Sequence, residues 1–98
     1  MGSSLKSAAF LIESRIAAAA RGDIEAYFDL GMAFSSGSDG LDVDLVQAHK
    51  WFNLAAVGGN ERGHECRAEI AEEMSAREIA EAQRQARAWL AGTMRQAA

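Results

Sequence analysis

Residues 50–59, KWFNLAAVGG, set two large aromatics beside a run of small residues and close on paired glycines. Trp51 and Phe52 and then Ala55 and Ala56 recur at the three- and four-residue steps that place side chains on one face of a helix. A segment of this kind needs close neighbours. The aromatics must fill space between elements, and the alanines let a second backbone approach, a mixture of large and small that reaches interior packing density. Glycine just past the last turn is a usual helix terminator, so Gly58 and Gly59 mark an end. A chain organised around such a segment folds as packed helices.

The remainder of the sequence agrees. Its 98 residues contain no proline, are rich in alanine, glutamate, arginine and glutamine, and nowhere alternate apolar and polar residues with β-branched enrichment. The expected class is all-α, and the length suits one domain, residues 1–98, with a modest core. Five helices are predicted. The first spans 4–21, with Leu5, Ala9, Ile12, Ile16 and Ala19 on one face and Gly22 at its end. Asp23 caps the second, which runs to about residue 35 and buries Ile24, Tyr27, Leu30, Gly31 and Phe34. The stretch SSGSDGLDVD is a loop in which Asp39 and Asp42 suit turns. Asp44 opens the third helix, and Gln47, three residues on, completes a capping-box-like pair. Its inner face is Leu45, Ala48, Trp51, Phe52 and Ala55. The fourth helix is expected over about 61–74. The fifth opens on Ser75, where SARE is a Ser-x-x-Glu capping box, turns Ile79, Ala82, Ala86, Trp89 and Leu90 inward, and ends at Gly92. Short helices with tight connections pair as antiparallel hairpins.

Several functions are poorly served by these residues. A net charge of −4 with only two lysines, Lys6 and Lys50, argues against nucleic-acid binding, which draws on clustered cations. The apolar run at 8–12 is cut by Glu13-Ser14-Arg15, too short and too charged for a signal peptide or membrane span. With a single cysteine, Cys66, compatible with a reducing compartment, the expected location is the cytoplasm. His64 and Cys66 stand two apart, a spacing that does not share a helix face, and His49 is the only other histidine. Zinc takes three or four convergent ligands, so no metal is expected. Cys66 lacks a positioned base and reads as a half-buried structural thiol. The aspartates of SDGLDVD lack the glutamate that closes a calcium loop, and the glycines lack the lysine of a phosphate loop. No catalytic residue and no cofactor are assigned, and the chain is read as a non-enzyme.

The order Ala26, Leu30-Gly31, Phe34, Gly37, Gly40-Leu41, Asp44, Ala48, Trp51-Phe52, Ala55-Ala56 and Gly59 resembles a Sel-one-like repeat, a relative of the tetratricopeptide repeat. The loop holds one residue more than the family pattern, because Gly37 and Gly40 are three apart. Gly63 takes the place of the closing alanine, a change that by propensity weakens the fourth helix slightly. The resemblance covers one whole repeat, residues 23–59. Residues 1–22 would then form an N-terminal capping helix and 60–92 a degenerate repeat acting as the C-terminal cap. It implies a short α-solenoid of antiparallel hairpins and a role in protein–protein interaction, as adaptor, scaffold or regulator, in a bacterial protein. Repeat units need neighbours to cover their apolar faces, so either well-made caps or self-association is expected.

In helix-hairpin solenoids the first helix of each pair lines the concave surface, here the second and fourth helices. Glu25, Phe28, Asp29, Met32 and Ser35 on the former, and Arg62, Glu65, Cys66, Glu69 and Glu73 on the latter, point away from the sister helix. An acidic surface with an aromatic and a methionine suits a basic, amphipathic peptide or helix of another protein. The plain alternatives are that the glutamates are only a solvated stripe and that Phe28 and Met32 belong to the core. The rival function is structural self-assembly through alanine-rich surface such as residues 17–20.

Overall fold

The computed structural model describes residues 3–38 and 40–97, with side chains for 10–38 and 40–95. Capping residues set most helix boundaries in it. The helix α1 (Ser3–Ala20) is followed by α2 (Ile24–Ser36), whose first free amides, those of Glu25 and Ala26, donate to the Asp23 carboxylate at 3.0 and 3.4 Å. The amide of Gln47 donates to Asp44 at 3.1 Å and opens α3 (Leu45–Val57). Asn60 accepts from the Gly63 amide at 2.8 Å and opens α4 (Glu61–Ala71). At the start of α5 (Ala76–Ala97) the capping box is complete: Glu78 N–H donates to Ser75 Oγ at 3.1 Å, and Ser75 N–H donates to the Glu78 carboxylate at 2.8 Å. Each such cap stabilises its helix by about 1 kcal/mol. No strand occurs among the described residues. Gly59, at φ 99°, makes the reversal between α3 and α4 in a region that side chains with a Cβ avoid.

One cap and two boundaries differ from expectation, each for a local reason. The α3 box is only half closed, because Gln47 donates its side-chain amide to Gln85 Oε1 at 2.9 Å rather than turning back. The amide of Asp44 finds the Phe34 carbonyl at 3.0 Å instead. Helix α4 stops at Ala71, not 74. The amides of Glu72, Glu73 and Met74 each bond the carbonyl three residues back, which tightens the chain into a turn. Helix α5 does not end at Gly92 but continues to Ala97.

Gly92 has a helical backbone there, and a Cβ added to it would meet nothing within 4 Å. Gly92→Ala is therefore expected to stabilise the protein by about 0.5–1 kcal/mol through backbone entropy alone. Urea unfolding would read this as a higher midpoint at unchanged slope.

Helix α3 is the hub, packing on α2, α4 and α5, while α1 rests on α2. Leu30, Ala48, Phe52, Leu54 and Ala55 are fully enclosed or nearly so. Around them Trp51 stacks on Tyr27 at 6.0 Å between centroids and meets Trp89 edge-on at 4.9 Å. Trp89 Nε1 donates to the Tyr27 hydroxyl at 3.4 Å, joining α5 to α2. Lys50 lays its Nζ over both indoles, 4.4 Å from Trp51 and 5.3 Å from Trp89, and burial lowers its pKa. The pairs Gln47–Gln85 and Trp51–Trp89 share one sequence offset of 38, so α3 and α5 run in the same direction in constant register. The expected hairpin of α4 with α5 is marginal: α5 spends its inner face on α3. In α1, Ile12 and Ala19 face the core as expected, but Ile16 is exposed; Leu5 and Ala9 lie outside the described side chains. In the loop, Leu41 N–H donates to the Ser38 carbonyl at 3.1 Å and Asp42 is exposed, while Asp39 lies outside the described residues.

Candidate functional site

Helices α2 and α4 lie side by side and point the same way. Toward their starts, the Arg62 guanidinium sits 4.8 Å over the centre of the Phe28 ring. Toward their ends, Met32 and Ser35 face Cys66, Glu69 and Ile70 across a cleft of about 520 Å³. Its floor reaches the core residue Phe52. Glu72 and Glu73, in the turn after α4, close one rim together with Glu69.

The ten surface positions chosen from the sequence separate into three groups. Met32, Ser35, Cys66, Glu69 and Glu73 come together in this cleft. Glu25, Asp29, Arg62 and Glu65 are exposed on their helices but do not line it, and Glu65 instead borders a second hollow of about 290 Å³ with Asn60 and His64. Phe28 is a correction. At 8 % exposure it is a core residue, tilted against Phe52 at 5.8 Å and roofed by Arg62, so it offers no free anchor. Met32, 40 % exposed, is the apolar group presented to solvent. Ile70, Glu72 and Phe52 were missed. Ile70 is one turn beyond Cys66 and Glu72 three residues beyond Glu69, so helical spacing left both open to inspection.

The thiol of Cys66 is pushed above its ordinary pKa by burial first, then by the carboxylates of Glu69 and Glu65, against the opposite pull of Arg62. It stays protonated at neutral pH and makes a poor nucleophile. No set of three histidine, cysteine, aspartate or glutamate side chains among the described residues converges as a metal site requires.

A second surface bears on self-association. Phe10, Leu11, Ile16 and Met94 are exposed on α1 and α5. Between these helices Ala20, Ala88, Trp89, Gly92 and Thr93 line a hollow of about 340 Å³. Of the alanine run 17–20, Ala17 and Ala20 are exposed, Ala18 is partly covered and Ala19 is wholly buried, so only part of it is free for contact. None of the helices among the described residues is long and apolar enough to cross a membrane.

No family model, curated protein or solved structure matches the chain.

Proposed function

We propose that this chain is a non-catalytic protein-interaction module whose α2–α4 cleft takes a basic, amphipathic peptide or helix from another protein. The observation that carries the reading is the cleft itself, with apolar Met32, Phe52 and Ile70 inside and Glu69, Glu72 and Glu73 around it. An apolar side chain inserted between the two helices would gain about 25 cal/mol per Å² removed from water. The carboxylates would favour lysine or arginine beside that side chain, acting on approach and selection more than on final tightness. The shared direction of α2 with α4 and of α3 with α5 supports a Sel-one-like, solenoid-type arrangement, in which successive first helices line one wall. A reducing, cytoplasmic setting suits its single thiol.

Fluorescence anisotropy with two labelled helical peptides tests the proposal, both carrying the same leucine stripe, one flanked by lysines and the other by glutamates. The lysine peptide is expected to bind at least about tenfold more tightly, a difference of about 1.4 kcal/mol. Glu69→Lys should slow association and remove most of the salt dependence. Met32→Glu should weaken binding without loss of fold. Equal affinity for both peptides, or indifference to both substitutions, would dispose of the cleft as the site.

Self-assembly is the second reading, favoured by exposed Phe10, Leu11, Ile16 and Met94. Light scattering over a concentration series separates the two, since a strict monomer leaves that surface without a copy to meet.

A further inference from the structure

The α3–α4 seam holds a polar cluster that the cleft does not use. Arg67, on α4, donates through Nη1 to Asn53 Oδ1 on α3, and through Nη2 contacts His64 Nδ1 at 2.7 Å. Guanidinium nitrogens only donate, so in this contact His64 Nδ1 is the acceptor. One turn before Asn53 on α3 stands His49, 3 % exposed, its Nδ1 without a partner. Arg67 is the charged group acting on His49, and no carboxylate among the described residues is set against it. Lys50, next to it on its own helix, places its charge over Trp51 and Trp89.

We propose that this cluster is an acid-labile clamp: Arg67, bonded to Asn53 one turn from the buried and unpartnered His49, holds the latter half of α4 on α3 and releases it as the solution acidifies. His49 is enclosed and cannot turn out to solvent. A proton there places a second cation in the interior beside Arg67, and a buried unpaired charge is relieved by admitting water. Arg67 rides on α4, so relief moves α4. The opening pivots near Gly63, where α4 lies tight against Ala55 and the Phe52 carbonyl. Cys66, Glu69 and Ile70 lie beyond that pivot, so one wall of the cleft moves with the clamp; this last step rests on the function proposed above.

The direction follows from linkage. Burial and then Arg67 hold the His49 pKa below its ordinary 6.5. The unfolded or opened chain therefore binds a proton first as pH falls. The stabilisation is complete above about 6.5 and is lost as pH drops from there toward the depressed folded value.

Hydrogen exchange by NMR, corrected for intrinsic rates, tests the clamp on the intact chain at about pH 7.5 and about pH 5. Protection of amides 65–71 is expected to fall at least about tenfold more than that of α2 and α3 amides. The His49→Gln/His64→Gln variant should lose this α4-specific response. Arg67→Gln, which keeps an amide donor but no charge, should raise the His49 titration midpoint toward 6.5. A uniform loss across all helices, a response that persists in the double variant, or an unmoved His49 midpoint in Arg67→Gln would each overturn the proposal. If α4 opens while lysine-peptide affinity stays constant, the clamp stands and the cleft assignment falls.

Discussion

Trp51→Ala is expected to cost about 3–5 kcal/mol, a large share of the roughly 5–15 kcal/mol typical of a domain this size. The side chain is 3 % exposed and touches two other helices: Tyr27 of α2 stacks on it and Trp89 of α5 meets it edge-on, while Lys50 of its own helix lies across it. Truncation leaves a cavity whose walls are set by other helices and cannot all collapse together. It also removes the aromatic face that lets Lys50 keep its charge while half-buried. Each lost kcal/mol should lower the thermal midpoint by about 4–8 °C in a domain of this length. Circular dichroism melts would show it, with Trp51→Phe recovering most of the loss. A fall of less than about 1 kcal/mol would mean that α5 is not held on α3 through this residue.

The prominence of Trp51 was open to reading because burial, spacing and residue type agree on it. The same holds for α2, α3 and the start of α5, where Asp23, Asp44 and Ser75 are strong local signals whose effect extends over only a few residues. Prediction failed where a distant partner decides. Gln47 carries a sequence suited to closing a capping box, yet Gln85 offers it a bond from across the α3–α5 seam. Gly92 has the residue type of a terminator, but its backbone stays helical rather than left-handed, so α5 passes through it. Phe28 shows the limit for the site. By spacing it sits between the inner and outer faces of α2, and only the placement of Phe52 and Arg62 decides that it is enclosed. The acidic rim was legible: Glu69, Glu72 and Glu73 stand at i, i+3 and i+4, which share one face of a helix, although only the first and last were chosen.

Gly31→Ala and Gly63→Ala are each expected to destabilise the protein by about 1–3 kcal/mol, less the roughly 0.5–1 kcal/mol that alanine returns in a helix interior. Propensity alone gives the opposite sign. A Cβ at Gly31 would fall 2.9 Å from Phe52 Cγ and closer still to the rest of the ring, which is enclosed and has nowhere to turn. A Cβ at Gly63 would stand 2.9 Å from the Ala55 methyl and 3.1 Å from the Phe52 carbonyl, neither of which is the free end of a flexible chain. Glycine at 63 therefore suits the point where α4 crosses α3 at backbone distance, and the slight weakening of the helix is the lesser effect. The comparison is sharpened by Gly58, where an added Cβ would press on Ile24 Cδ1 and Cγ1, side-chain atoms with room to shift, and meet the Ala55 carbonyl only at an ordinary 3.5 Å. Urea titrations of the four glycine-to-alanine variants should therefore divide them, with Gly92 above wild type, Gly58 near it, and Gly31 and Gly63 below. Because Gly63 lies where α4 meets α3, its variant should also lose affinity for the lysine peptide under conditions where it remains folded. A Gly63→Ala protein as stable as wild type would show that α4 can slide on α3, and a cleft with one sliding wall would not select its ligand by shape.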